Sequence, residues 1–394
     1  MSVRYIADRQ KDTQISQSRL KVTDVVDLGT DKLLFYSAGG VYESDARGKN
    51  VVEIVRLFSA SESKNHSFYI RASENGRVVI VNDTTAIEKA RGEFPRTFTE
   101  IRENPEKYEK LSAGVEESLY LVDISAKKIE TFQSPHKVVP SPDEVVVYYI
   151  SPHGQKILRF PHSSSYARSM DIYDRAGKQW KEINLINLKL DVEPAGWSPN
   201  GDVLYLFDKY KRNTIHVLDT NTGLLEESID TTSFCSYGGA LAPLYGGDNK
   251  MVALCNTGDS YKTSDFMVNI LLFDWSNGTT TLVVSAPAVG DDQISGLEGV
   301  SQHFSEDKTK FIYTQNYKVK FLKIGSEKQP TILPFEEGDY ELGYRLFSPS
   351  GSFIVLTPWD SDEENFIKTF DLQANKIFSI PFGEKTLFLG WMSN

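Results

Sequence analysis

Gly196-Trp197-Ser198-Pro199-Asn200-Gly201, Val203-Leu204-Tyr205-Leu206-Phe207, Ile215-His216-Val217-Leu218-Asp219 and Leu224 to Ile229 follow one another between Ala195 and Ile229. An apolar opening run precedes three more, with turn chemistry between them. That pattern predicts a four-stranded antiparallel unit. Copies of the unit fill the chain. Aligned on the end of the third strand, Asp45, Asp123, Asp174, Asp219, Asp274, Lys323 and Asp371 recur roughly 50 residues apart, the first separation being longer, so seven units are expected. Each aspartate closes an apolar run and opens a tight turn, as in Asp174-Arg175-Ala176-Gly177, where a short carboxylate can accept a backbone N–H two residues on. Lys323 departs from the pattern, and Gly325 alone serves that turn.

The second strands of the units are Leu33 to Tyr36, Val78 to Val81, Ile157 to Phe160, Val203 to Phe207, Met251 to Leu254, Phe311 to Tyr313 and Phe353 to Leu356. They read as apolar on both alternating faces, which a sheet with one wet face does not tolerate. Sheets buried on both sides by their own neighbours fit blades around an axis. The expected fold is all-β: a single β-propeller over residues 1–394, of seven four-stranded antiparallel blades.

Polar turns precede these strands at Ser73-Glu74-Asn75-Gly76, Ser151-Pro152-His153-Gly154, Ser198-Pro199-Asn200-Gly201, Ser305-Glu306-Asp307-Lys308 and Ser348-Pro349-Ser350-Gly351. Ser-Pro-x-Gly followed by a short apolar strand resembles the WD40-like repeat of TolB-type propellers, over nearly the whole chain. The resemblance implies the fold and leaves function open, because that repeat serves secretion accessories, peptidase gates and scaffolds alike. The Gly-His and Trp-Asp pair of true WD40 repeats is missing, and Trp359-Asp360 lies in a loop after a second strand. No hydrolase domain is expected after the last blade, which argues against a prolyl-oligopeptidase-like enzyme.

Leu387-Phe388-Leu389-Gly390-Trp391-Met392 copies the opening strand around Gly196-Trp197 and is expected to complete a blade begun at the N-terminus, with Lys21 to Val26 and Val3 to Ile6 as competitors. In the second blade, residues 83–118 replace a turn of roughly ten residues. The core of this insertion, Thr97 to Leu111, puts Phe98, Ile101, Tyr108 and Leu111 near one helical face, with Pro105 breaking it into two short helices. Eight acidic residues face six basic ones in 84–117, which suits either a solvated lid or a docking element.

Loops joining second to third strands share a rim with the connections between blades. Each carries an aromatic: Tyr166, Tyr210, Tyr261, Tyr317 and Trp359. A ring of such residues suits binding, although an aromatic at a strand end also packs against the next blade. Carboxylates load the same rim in blades five to seven, among them Asp291, Asp292, Asp339, Asp360, Asp362 and Glu363, an acidic arc for a basic partner or a cation. Their spacing is not that of an EF-hand.

With 54 acidic and 43 basic residues the net charge is -11, which repels duplex nucleic acid and anionic bilayers. Met1 to Asp8 lacks a signal-peptide core and no run reaches the roughly 18 apolar residues of a membrane span, so a soluble intracellular protein is expected. Cys235 and Cys255 form no CxxC and are read as reduced, with no zinc site. The six histidines are isolated, His162 beside Ser163 lacks a GxSxG elbow, and no metal or cofactor is indicated. The expected function is a non-enzymatic protein-protein interaction scaffold, or a structural subunit of a larger assembly, binding protein partners through the rim. The alternative is a propeller hydrolase or lyase acting on a sugar, lactone or peptide at the central axis.

Overall fold

Seven four-stranded antiparallel sheets follow one another along the chain of the computed structural model. It describes residues 31–394 apart from 64, 74, 142–143, 164–168, 210–213, 231, 233–236, 244–249, 258–266, 275–278, 288–293, 296–302, 317, 326–328, 337–339, 342–345, 359–365, 382–385 and 393–394. Residues Asp31–Asn394 form one compact unit. Blade 1 pairs the C-terminal strand Leu387–Met392 with Lys32–Ser37, Gly40–Asp45 and Val52–Arg56. Blades 2 to 7 are each built from four consecutive strands. Third strands end at Asp45, Asp123, Asp174, Asp219, Asp274, Lys323 and Asp371. The competing segments Val3 to Ile6 and Lys21 to Val26 lie outside the described residues.

The turns explain the repeated residues. In blade 3, Ser151 N–H donates to Lys156 O at 2.9 Å while Lys156 N–H donates to Ser151 Oγ, also at 2.9 Å. Ser73, Ser198, Ser305 and Ser348 make the same pair of bonds with the residue five positions on. A hydroxyl can accept there on a side chain short enough to stay within the turn. At the other end, Asp45, Asp174, Asp219 and Asp371 each accept the backbone N–H two residues on at 2.7 to 3.0 Å, and Asp123 accepts that of Ala126 at 2.8 Å.

The two Gly-Trp pairs share one device. Ala195 and Leu389 are the extra residues of a β-bulge, and Gly196 and Gly390 follow at φ 150 and 149. Only glycine adopts that backbone readily. The bulge turns Trp197 and Trp391 into the layer between blades, where Trp391 is fully buried.

The core is a set of such layers. Val78, Ile80, Leu119 and Leu121 of blade 2 meet Tyr148, Ile150, Ile157 and Tyr173 of blade 3, and similar clusters join each further pair around the ring. Alternate residues of one second strand serve two layers: Leu204 and Leu206 pack toward blade 3, Tyr205 toward blade 5. Apolar character on both faces follows from this arrangement.

One expectation needs correction. Cys255, fully buried in the second strand of blade 5, is disulfide-bonded, and Cys235 is the chain's one other cysteine. A single bridge leaves no spacing pattern to read, which is why two reduced thiols were expected. Disulfides persist in oxidising compartments and are rare in a reducing cytosol. No helix among the described residues is long and apolar enough to cross a membrane.

Two outcomes are expected. Denatured protein should take up no iodoacetamide until a reductant is added, and mass spectrometry should then find both cysteines alkylated. Trp391→Ala should remove about 3–5 kcal/mol of stability in urea unfolding, because it empties the layer that the closing strand shares with blade 7.

Candidate functional site

All the residues expected to bind lie outside the described part of the chain: Tyr166, Tyr210, Tyr261, Tyr317 and Trp359, and the acidic Asp291, Asp292, Asp339, Asp360, Asp362 and Glu363. The described residues assemble a different site, at the rim between blades 2 and 3.

Its position follows from the insertion. After the second strand Val78–Asp83, helix α1 (Thr85–Glu93), α2 (Phe98–Glu103) and α3 (Pro105–Ser112) carry the chain out and back. Thr97 caps α2 by accepting Glu100 N–H at 3.2 Å, and Pro105 starts α3 where its missing N–H costs nothing. The helices bury little: Ile87 in α1 and no residue in α3. The chain returns through a two-residue bridge in which Val115 and Val138 exchange backbone hydrogen bonds at 2.8 and 2.9 Å. That bridge ties the foot of the insertion to the connection between blades 2 and 3.

Beneath it lies a cavity of about 450 Å³, whose walls include Glu117, Tyr120, Phe132, Ser134, His136 and Lys137. A smaller cavity of about 240 Å³ adjoins it past Phe132 and Tyr173. Phe132 stacks on Tyr173 at 5.1 Å, and Trp180 of blade 3 donates its indole N–H to Gln133 O at 2.8 Å, pinning the outer strands together. On the other side of Tyr120, Phe58 packs edge-on at 5.5 Å and stacks on Phe68 and His66, whose Nδ1 is 2.7 Å from Asp83. Aromatic side chains therefore flank blade 2 on both faces.

Two residues of the cavity wall, Glu117 and His136, belong to an ionic group buried between blades 2 and 3. Arg159 donates from Nε to Glu117 at 3.0 Å and from Nη1 to Asp171 at 3.4 Å. Asn82 Nδ2 donates to the other Glu117 oxygen at 3.1 Å, and His136 Nε2 is 3.2 Å from Asp171. Glu117, Arg159 and Asp171 are 0, 4 and 3% exposed in their side chains. Burial works against the charge on Arg159, but Glu117 and Asp171 outweigh it and its pKa rises. At Asp171 burial wins over His136 and Arg159, and the pKa is raised. One guanidinium is shared between two carboxylates. Burial first, then the Glu117 charge, lifts the Tyr148 phenol well above its ordinary range and keeps it neutral.

Strand alternation selects these positions. Leu158 and Phe160 face blade 4, so Arg159 between them faces blade 2; Met170 and Ile172 do the same for Asp171. Counted from the turn serine, the residues matching Arg159 in blades 2, 4, 6 and 7 are Val81, Leu206, Tyr313 and Leu356. The charge inside this second strand is a signal that reading Ile157 to Phe160 as apolar on both faces missed. Glu117 and His136 carried none, since neighbours in sequence do not explain either. Among the described residues no group of three or more His, Cys, Asp or Glu is placed to hold a metal.

No protein-family model matches the chain, and no curated protein does. Among solved structures it is similar to a TolB candidate from Agrobacterium tumefaciens, at 14% identity and TM-score 0.40 over 68% of this chain and 87% of that one. It is similar also to oligogalacturonate lyase in complex with manganese, at 14% identity and TM-score 0.41 over 76 and 72%. A third likeness is to a chain of the mitotic checkpoint complex, at 11% identity and TM-score 0.41 over 95 and 100%. These likenesses concern the fold alone.

The site and the turns titrate with opposite sign. Asp171 holds its proton more tightly folded than unfolded, so its contribution to stability falls as pH rises from about 3.9 through its raised pKa. Burial at Asp123 is outweighed by the Ala126 N–H and Arg175, so its pKa is lowered; its contribution is complete above about 3.9 and fades as pH falls through the lowered value. Urea unfolding between pH 3 and pH 7 should show wild type losing ground to Asp171→Asn as pH rises, and gaining on Asp123→Asn.

Proposed function

We propose that the protein is a non-enzymatic interaction scaffold, or a structural subunit of a larger assembly, that docks a protein partner at the rim cavity formed by blade 2 and the connection after it. The supporting observation is an open polar cavity whose wall residues Glu117 and His136 are tied to Arg159 and Asp171 of blade 3. These cross-links between two blades hold the wall residues Glu117 and His136 in place before anything binds, which lowers the ordering cost of association. Half-buried Tyr120 and Phe132 supply contact area at low entropic cost, and Glu116, His136 and Lys137 supply a polar edge. The helical insertion stands at the same rim.

A second reading draws on the contact between His136 and Asp171, a carboxyl group with raised pKa beside an imidazole at the cavity. It is the hydrolase or lyase of a sugar, lactone or peptide, with its site moved from the central axis to this rim.

Three baits of equal thermal stability separate these readings in co-purification from the native source: wild type, His136→Ala with Lys137→Ala, and Tyr166→Ala with Tyr210→Ala, Tyr261→Ala and Tyr317→Ala. A stoichiometric partner lost only from the cavity variant is the expected result. Loss only from the tyrosine variant would move docking to those loops. No partner on any bait, together with turnover of a glycoside, lactone or peptide panel that His136→Gln abolishes, would favour the enzyme.

A further inference from the structure

We infer that His303 is an acid-sensitive lock in blade 6: its neutral ring holds the inner part of the blade against the strand Lys310–Gln315, and protonation releases it. Strand pairing is the first argument. In blade 4 the first strand pairs Glu193 with Phe207 and Trp197 with Leu204, and three residues, 194–196, lie between. In blade 6 the matching pairs are Ser295 with Thr314 and Phe304 with Phe311, and eight residues, 296–303, stand between them in sequence. Counted from the turn serine, His303 takes the position of Gly196, the strand partner of Tyr205. It meets the corresponding residue, Ile312, with its side chain: Nδ1 is 3.1 Å from Ile312 O. One ring thus serves a place that backbone pairing fills in blade 4.

The surroundings of the ring make the second argument. A carbonyl only accepts, so Nδ1 carries the proton and Nε2 of the neutral ring is a bare lone pair. His303 is fully buried, and its Nε2 has no hydrogen-bond partner. A second proton would therefore create an N–H with nothing to accept it, and a positive charge beside apolar rings. Phe311 lies 6.3 Å from His303 and packs on Phe304 at 4.5 Å and on Tyr313 at 5.6 Å. Blade 5 adds Val252, Ile270 and Leu272 to this layer, and Ile312 packs the other way with Phe347 and Val355 of blade 7. Titratable groups of blade 6 are engaged elsewhere. Asp307 accepts the Thr309 N–H at 3.0 Å, Lys310 Nζ donates to Gly351 O at 2.8 Å, and Lys308 is partnered as well. Burial raises the pKa of the Tyr313 phenol and keeps it neutral. A buried charge without a partner is costly, so the folded blade and the protonated ring exclude one another.

The other histidines differ. His66, His136, His162 and His216 each lie within 3.6 Å of a carboxylate, whereas among the described residues His303 has none. Burial lowers its pKa from 6.5 to about 4, against the smaller opposing effect of the Ile312 carbonyl. The unfolded chain takes up this proton near 6.5 and the folded chain only near 4. The stability that depends on neutral His303 is complete above about 6.5 and is lost as pH falls from there to about 4. That interval includes the range, roughly pH 5 to 6, in which histidine sensors act.

The test uses the full chain and two variants that cannot titrate at this position: His303→Asn, which keeps an N–H near the place of Nδ1, and His303→Phe, which keeps the ring volume. From pH 7.5 to pH 4.5 the unfolding constant of wild type in urea should rise at least about tenfold more than that of either variant. Hydrogen exchange, corrected for the intrinsic effect of pH, should accelerate over residues 303–313 of wild type at pH 5 relative to pH 7.5, and not over residues 145–160 of blade 3. Nitrogen NMR of the wild-type ring, which needs no variant to fold, should show Nδ1 protonated and Nε2 bare at pH 5.5. A ring protonated on both nitrogens at pH 5.5 in the folded chain overturns the inference. So does the same pH response of the unfolding constant in wild type and both variants. Exchange that accelerates equally in blades 3 and 6 assigns the response to the whole ring of blades and overturns a lock in blade 6.

Discussion

Every sheet in this ring is buried on both faces by its neighbours, so no blade has a core of its own. Burial of apolar area between blades is the dominant favourable term, and a ring supplies it to all seven only when the last gap closes. The strand Leu387–Met392 closes it by pairing with Lys32–Ser37, and Trp391 fills the layer beside blade 7. The bulge that aims Trp391 recurs at Trp197, so closure uses the device of an ordinary blade.

Against that background, the layer between blades 2 and 3 is unusual at one end. Where other second strands offer Val81, Leu206, Tyr313 or Leu356, blade 3 offers Arg159, and the charge is held by Glu117 and Asp171. A buried ion pair is a weak source of stability, since desolvation offsets most of its attraction. Apolar residues of similar volume would serve the fold as well. The group ties Glu117 and His136, at the foot of the insertion and in the connection after blade 2, to Arg159 and Asp171 of blade 3.

Much of the fold was legible in the sequence because two local devices recur from blade to blade. A serine closes the turn before the second strand in blades 2, 3, 4, 6 and 7, and an aspartate ends the third strand in six blades, accepting a backbone N–H of the next turn at Asp45, Asp123, Asp174, Asp219 and Asp371; Lys323 takes the place once. The site was less legible. Reading Ile157 to Phe160 as apolar on both faces passes over Arg159, and Glu117 and His136 reach it from segments before and after, so that only the packing of two blades brings them together. The disulfide at Cys255 left no trace either, because two cysteines without a motif fit both redox states.

The central claim is that this rim, at the cavity, is where a partner sits. Site-specific photo-cross-linking tests it most directly, with benzoylphenylalanine placed at Lys137 in one protein and at Glu226 in another, each expressed in the native source and irradiated. The account predicts one discrete adduct from position 137 and none from 226. Equal adducts from both positions, or none from 137, would contradict it.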